Sequence, residues 1–189
     1  MDDPKITPSF EKKSSWRDQA LETLKIVITS SILALIIRGY VAEPRYIPSD
    51  SMLPTLTQGD RLVIEKVSYR FHPPRSGDIV VFEPPEQLQK IGYDKDQAFI
   101  KRVVGIAGDI LEVKEGKVYR NGQSLKENYI LDSPNYQLPP FKIPAGKLFV
   151  MGDNRNNSND SHIWGFLPSS NVIGKAIVRF FPLTKLGSI

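Results

Sequence analysis

The chain has 189 residues, 40% of them hydrophobic, with 25 Lys and Arg against 21 Asp and Glu for a formal net charge of +4. That length favours one domain with a real core, and so small a positive balance without a basic run leaves no footprint for nucleic acid. Cysteine is absent and His72 and His162 are the only imidazoles, which excludes disulfides, thiolate nucleophiles, iron–sulfur clusters and sulfur-ligated zinc; without an HExxH run, neither a metal nor another cofactor is expected.

Residues 1–22 are polar and mixed in charge and read as a loosely ordered tail. Ile26 to Ile37 is uncharged and apolar, bounded by Lys25 and Arg38. Counted from Leu24 to Val41, the span is about 27 Å long as a helix, marginal for a bilayer core of about 30 Å. It suffices if Lys25 and Arg38 extend outward and Trp16 and Tyr40 lie near the interfaces. Thr29, Ser30 and Ser31 point in three directions, so a surface-lying amphipathic helix fits poorly. A cleavable secretory signal fits poorly too: cleavage after Ala42 would put Tyr40 at −3, where a small side chain is needed. Residues 23–42 are therefore read as an uncleaved transmembrane anchor. Lys5, Lys12, Lys13, Arg17 and Lys25 precede it, while Arg38 and Arg45 follow it closely, which keeps the amino terminus in the cytoplasm and puts residues 43–189 on the far side.

Beyond the anchor, short apolar runs alternate with turns, and the 15 prolines argue against a helical bundle. Strands are expected at Arg61–Val67, Asp78–Phe82, Phe99–Ile106, Ile110–Val113, Lys117–Arg120, Lys147–Met151 and Val172–Phe181. Glu115-Gly116 and Asn121-Gly122 read as hairpin turns. Asp132–Pro144 has little periodicity and reads as an excursion within a small insertion at about 107–146. The fold class is mainly β, with antiparallel coiled sheets or a barrel-like body behind one N-terminal transmembrane helix.

Three segments stand apart. IPSDSMLPTL (47–56) crowds Ser49, Ser51 and Thr55 between prolines directly after the anchor; by itself it reads as a turn. In AFIKRVVGIAGD (98–109), Lys101 and Arg102 interrupt an apolar strand on opposite faces, so one cation is placed where burial is costly unless the strand is an edge. MGDNRNNSNDSHIWGFLP (151–168) is a polar loop closed by aromatics, and it lacks the alternating carboxylates and terminal glutamate of a calcium loop. Two glycosylation-like triplets, at Asn156 and Asn159, are too short to carry weight. Ser9 and Lys12 match an S-x-x-K pattern but sit in the tail, with no K-T-G run downstream.

In order and spacing these segments resemble the type I signal peptidase family. IPSDSMLPTL is similar to its serine box, GDRLVIEKVSY (59–69) to the strand that follows, GDIVVF (77–82) with IKRVVGIAGD (100–109) to its lysine box, and MGDNRNNSNDSHIWGFLP to its closing box. The resemblance spans nearly the whole chain. It implies a monomeric, plasma- or thylakoid-membrane serine endopeptidase that removes signal peptides from exported preproteins after small residues at −1 and −3. It further implies Ser51 as nucleophile, Lys101 as general base, Ser49 and the Ser51 N–H as the oxyanion hole, Ser158 as the residue orienting the lysine, Asp160 as the acid of a supporting ion pair, and Met52 as part of the substrate pocket. Two positions depart from the family pattern: His162 stands where arginine is common and Asn156 where aspartate is. The Asp160 ion pair thereby becomes a weaker, pH-sensitive one.

The chemistry makes sense from the side chains. A serine hydroxyl needs its proton removed, and a free lysine is neutral in only about one molecule in 2,500 at pH 7. Burial among neighbours such as Phe99 and Val103 disfavours the ammonium and lowers its pKa by units. Three other readings are available: a Ser51–His162–Asp160 triad, which leaves Lys101 without a role; a self-cleaving Ser–Lys repressor, which would need a DNA-binding helix-turn-helix in place of the anchor; and a membrane-tethered scaffold without catalysis. The aromatics Trp164, Phe166, Phe180 and Phe181 are candidates for dipping into the bilayer interface, with core packing as the competing fate.

Overall fold

A computed structural model of the chain describes residues 15–189. The tail up to residue 14, with Lys5, Lys12, Lys13 and the Ser9–Lys12 run, lies outside the described residues. Ser15 starts the first helix: its Oγ accepts from the Asp18 N–H and the Asp18 carboxylate accepts from the Ser15 N–H, a reciprocal cap. Helix α1 (Trp16–Ile36) continues through a wider-wound stretch, Ile37–Val41, for 26 residues in all. It thus begins about two turns before Leu24, because the cap, which lies outside the apolar run, sets where the helix starts. None of its side chains is buried against the protein. An apolar helix left bare all round suits a lipid surrounding, and this one is long and apolar enough to cross a membrane.

The rest is a mainly β, half-barrel structure of two antiparallel sheets. The large sheet runs in the order β1 (Ala42–Tyr46), β2 (Arg61–Glu65), β11 (Val172–Phe181), β3 (Ile79–Phe82), β4 (Phe99–Ile106), β9 (Lys147–Met151) and β10 (Leu167–Pro168), with β12 (Gly187–Ser188) beside β11. The small sheet is built from β5 (Ile110–Lys114), β6 (Lys117–Arg120), β7 (Gln123–Ser124) and β8 (Leu138–Lys142), in the order β7-β6-β5-β8. Two single-turn helices, α2 (Glu86–Gln89) and α3 (Ser161–Trp164), fill connections. The hairpins turn where expected: Glu115 and Gly116, then Asn121 and Gly122, all have positive φ, between 51° and 79°. Paired positive-φ residues match the right-handed twist of the strands they join.

The seven expected strands form within a residue or two, while β1 and β8 arise where no strand was expected. Each contains proline (Pro44; Pro139 and Pro140), and each is the edge of its sheet, where a missing N–H donor is tolerated.

Three apolar clusters hold the body together. Ile47, Met52, Leu56, Leu62, Ile64, Ile79 and Val81 pack under the segment that follows β1; Val80, Phe82, Leu88, Val103, Leu148 and Val150 form the opposite face of the large sheet. Val104, Phe149 and Met151 join Leu111, Val113, Val118 and Ile143 to fix the small sheet onto the large one. Trp164 packs in this core with its ring 6.2 Å from Phe82, and Phe166 lies against Phe141 and Phe149, so neither is an interfacial anchor. Phe181 stays exposed beneath the Arg61 guanidinium.

Candidate active site

The segment after β1 folds back on itself. Ile47 is pinned from both sides, by its N–H to the Asp60 carbonyl and by the Gly59 N–H to its own carbonyl, each at 2.9 Å. Turn hydrogen bonds then run from Leu53 N to Asp50 O and from Leu56 N to Met52 O, while Met52 and Leu56 bury completely. Burying that pair turns Ser51 toward the sheet with 9% of its surface exposed. Met52, expected to line the substrate pocket, has no exposed surface and shapes the site from beneath.

Strand β4 supplies the lysine. It is an interior strand, flanked by β3 and β9, so Lys101 has no edge along which to reach water and is only 4% exposed. Its Nζ donates to Ser51 Oγ at 2.7 Å and to the carbonyl of Ile100 at 2.9 Å. Burial brings the ammonium down from 10.5 to about 8, against the opposing pull of the Asp160 and Asp153 carboxylates. At pH 7 about one lysine in ten is then neutral, some 300-fold more than at the unshifted value. Ser49 Oγ lies 3.3 Å from Ser51 Oγ on the same turn, on the solvent side.

The closing loop packs against this pair. Asn154 donates its N–H to the Ser51 carbonyl at 3.0 Å and its side-chain amide to the Asp50 carbonyl at 3.2 Å. At Gly152 a β-carbon would collide with the Ser51 carbonyl oxygen and with the Ser158 hydroxyl, so only glycine lets the two segments meet. Asp160 is fully buried; its carboxylate accepts from Gly152 N at 2.8 Å and from the backbone and ring of His162 at 3.1 and 2.7 Å. The His162 ring stacks on Tyr136 with centroids 4.2 Å apart. The bond expected between Ser158 and Lys101 is not formed: Ser158 Oγ is buried without a protein partner, and the Ile100 carbonyl takes the second lysine hydrogen bond. Asn156, where the family often has aspartate, ties the loop to residues 133–135 instead, through Asn135 N and Ser133 O.

Several supporting residues escaped the sequence reading. Arg102 grips Asp153 with two bonds, at 2.8 and 2.7 Å, and Thr55 donates to the same carboxylate. Arg155 has no exposed side-chain surface and forms a forked pair with Glu127, at 3.0 and 2.6 Å. Tyr129 lies 4.1 Å beneath the Arg102 guanidinium, Leu131 N–H donates to the Asp153 carbonyl at 3.0 Å, and Pro54 bridges to Ile130. Residues 127–131 thus hold the serine, lysine and closing segments at once. The available signal was Arg102 inside an apolar strand, which demands an acid; Arg155 sits in a polar loop and gave none.

A depression of about 120 Å³ opens between residues 45–48 and 98–100, the segments that run on in sequence to Ser49 and Lys101, and is lined by Tyr46, Ile47, Pro48, Val81, Ala98 and Phe99 among others.

Comparison with known proteins points to one family. Residues 20–181 match the family model described as "Signal peptidase, peptidase S26". The chain is 62% identical over 168 residues to a probable signal peptidase I-1 of Synechocystis, covering 89% of this chain and 86% of that one. It is 54% identical to a signal peptidase I of Leptolyngbya laminosa, with 89% and 83% covered, and 42% identical to a probable thylakoidal processing peptidase 2 of Arabidopsis thaliana, with 99% and 53% covered. A solved signal peptidase I from Enterococcus faecalis superposes with a TM-score of 0.47 at 27% identity, over 55% of this chain and 97% of that one. The match spans most of helix α1 and nearly all of the β body, including Ser51, Lys101 and the loop that packs against them: the chain belongs to the signal peptidase family, peptidase S26.

Proposed function

We propose that this membrane serine endopeptidase removes signal peptides from exported preproteins with Ser51 as nucleophile and Lys101 as general base. The observation that carries the reading is the 2.7 Å hydrogen bond between buried Lys101 Nζ and Ser51 Oγ, where burial lowers the lysine to about 8. Neutral Lys101 takes the proton of Ser51, whose oxygen adds to the scissile carbonyl. The Ser51 N–H and the Ser49 hydroxyl are the donors for the resulting oxyanion. Lys101 then gives its proton to the departing amine, leaving an acyl-enzyme. Lys101 next deprotonates water, which attacks the ester and frees Ser51.

The depression of about 120 Å³ between residues 45–48 and 98–100 is well below the size of an ordinary ligand pocket, a size suited to small side chains. That supports cleavage after small residues at −1 and −3. The anchor confines enzyme and substrate to one membrane, which raises their effective concentration without further contacts. The cation count favours a cytoplasmic amino terminus, and the β body then lies on the far side of a plasma or thylakoid membrane as a monomer.

His162 bonds Asp160 through Nδ1 as a triad base would, but among the described residues Ser51 Oγ meets only Lys101 and Ser49 and makes no hydrogen bond to His162, so the triad lacks its central contact. The test is cleavage of a preprotein with alanine at −3 and −1 by the full chain in detergent or bilayers. Ser51→Ala and Lys101→Ala should each abolish it, and cleavage by Lys101→Ala at a near-normal rate refutes the assignment.

A further inference from the structure

The segment Lys66–Gly77, KVSYRFHPPRSG, contains three cations and no carboxylate, and the mechanism makes no use of it. Its first turn carries the end of the anchor. Lys66 N–H donates to the Val41 carbonyl at 2.8 Å, Lys66 Nζ to the Arg38 carbonyl at 3.3 Å, and Arg70 Nη2 to the Tyr40 carbonyl at 3.0 Å. The Arg70 guanidinium also lies over the Tyr40 ring, 5.6 Å from its centre. These bonds set the height of the loop: it stands level with residues 38–41, at the C-terminal end of the apolar helix.

At that level the loop presents a combination that is costly in plain water. Phe71 is 75% exposed, between exposed Arg70 and His72 and ahead of Pro73. Of the neighbouring acids, Glu43 is taken by Lys66 and Arg45 and Asp78 by Lys175 and Tyr69, while Glu65 accepts the N–H groups of Val67 and Ser68 on Oε2 and keeps Oε1 buried. Arg70 and exposed Arg75 therefore have no carboxylate partner among the described residues. Between this loop and Ser169–Ser170 lies an open hollow of about 530 Å³, lined by Arg70, Phe71, His72 and the two serine residues. A bare aromatic flanked by unpaired cations and hydroxyls, held at the mouth of an anchor, is the chemistry that recognises a lipid headgroup.

We propose that the Lys66–Gly77 loop docks on an anionic lipid leaflet, Arg70 and Arg75 meeting the headgroups while Phe71 enters the interface between them. The surface would fix the tilt of the β body beside its anchor and hold the Ser51 cleft at a set height. This rests on the membrane-anchored reading of α1 and adds a lipid preference to it.

Because the chain lacks cysteine, single labels are easily placed on the full-length protein. Spin labels at Phe71→Cys, at Leu33→Cys within the anchor and at Lys117→Cys on the β5–β6 hairpin are read for oxygen and aqueous-relaxant access. The bilayers are zwitterionic, or zwitterionic with about one-third anionic lipid. The expected result is a lipid-exposed label at 33, an aqueous label at 117, and a label at 71 that becomes lipid-exposed as anionic lipid is added and returns toward water in high salt. Arg70→Ser with Arg75→Ser should weaken that response about 25-fold, near fivefold for each cation, while cleavage in zwitterionic bilayers is unchanged. A label at 71 as aqueous as that at 117 while 33 is in lipid overturns the docking surface and leaves the anchor standing. Entry at 71 that ignores lipid charge and salt overturns the headgroup recognition. An aqueous label at 33 overturns the anchored reading itself.

Discussion

Removing the Lys101 charge should stabilise the protein, and the gain should vanish in alkali. Burial holds the folded-state pKa near 8 against 10.5 for the free side chain, a difference that corresponds to about 3 kcal/mol against folding wherever the lysine is protonated in both states. Below about pH 8 that cost is fully present. Between 8 and 10.5 the unfolded chain holds a proton that the folded protein has released, so stability rises with pH, and above 10.5 the cost is gone. Lys101→Met keeps an unbranched side chain of similar length and removes the titration. Its stability advantage over the parent should therefore shrink by roughly 2.5 kcal/mol between pH 7 and pH 10, a relative change in Tm of about 5–10 °C for a body of this size. The assay is paired thermal unfolding of the two full-length proteins across that range. Tyr69, Tyr129 and Tyr136, whose phenols burial raises, are common to both proteins and cancel in the difference. The same group sets the acid limb of kcat/KM for the parent, which should climb through about 8. A stability difference that stays flat from pH 7 to 10, or an acid limb far from 8, refutes the claim that a desolvated Lys101 is the base.

Three further outcomes test the support around the pair. Gly152→Ala should cut kcat by about 100-fold or more, because its methyl has to displace either the Ser51 carbonyl or Ser158 and a small misplacement of reacting atoms costs that much; a rate within threefold of the parent contradicts the packing. Glu127→Gln should destabilise by about 3–5 kcal/mol, since it leaves the buried Arg155 guanidinium without an anion, and an unchanged Tm would show that the pair is not desolvated. His162→Gln should keep cleavage within about tenfold of the parent, whereas a triad base would lose about 10⁴-fold or more.

The strands were legible because each buries one face or both, and burial writes itself into apolar alternation. Val172–Phe181 and Phe99–Ile106 begin and end where their patterns do. β1 and β8 are edge strands held by backbone hydrogen bonds on one side, with prolines that local rules read as loop, so their pairing came from the sheet and not from their own residues. Ser51 and Lys101 were legible through the resemblance of their segments to the family's boxes, since alone the first reads as a turn and the second as a cation that an edge strand could carry. Glu127, Tyr129 and Leu131 were not, for they lie more than twenty residues from the groups they hold, in a stretch without periodicity. Arg155, set among polar neighbours in the sequence, gave no sign of its burial or of which of the chain's 21 acids it would meet.

The lysine also shows why those supports take the form they do. Two aspartates are close enough to raise its pKa, and left alone in a dry site they would hold Lys101 protonated and idle. Neither is alone. Asp153 is gripped through both oxygens by Arg102, with Thr55 beside it, and Asp160 divides its oxygens between Gly152 N–H and His162. Each carboxylate can then fix the closing loop while spending most of its field on its own donors, and burial prevails over attraction at Nζ. The aspartates hold the closing loop, their partners quiet them, and burial leaves Lys101 suited to the proposed role of base.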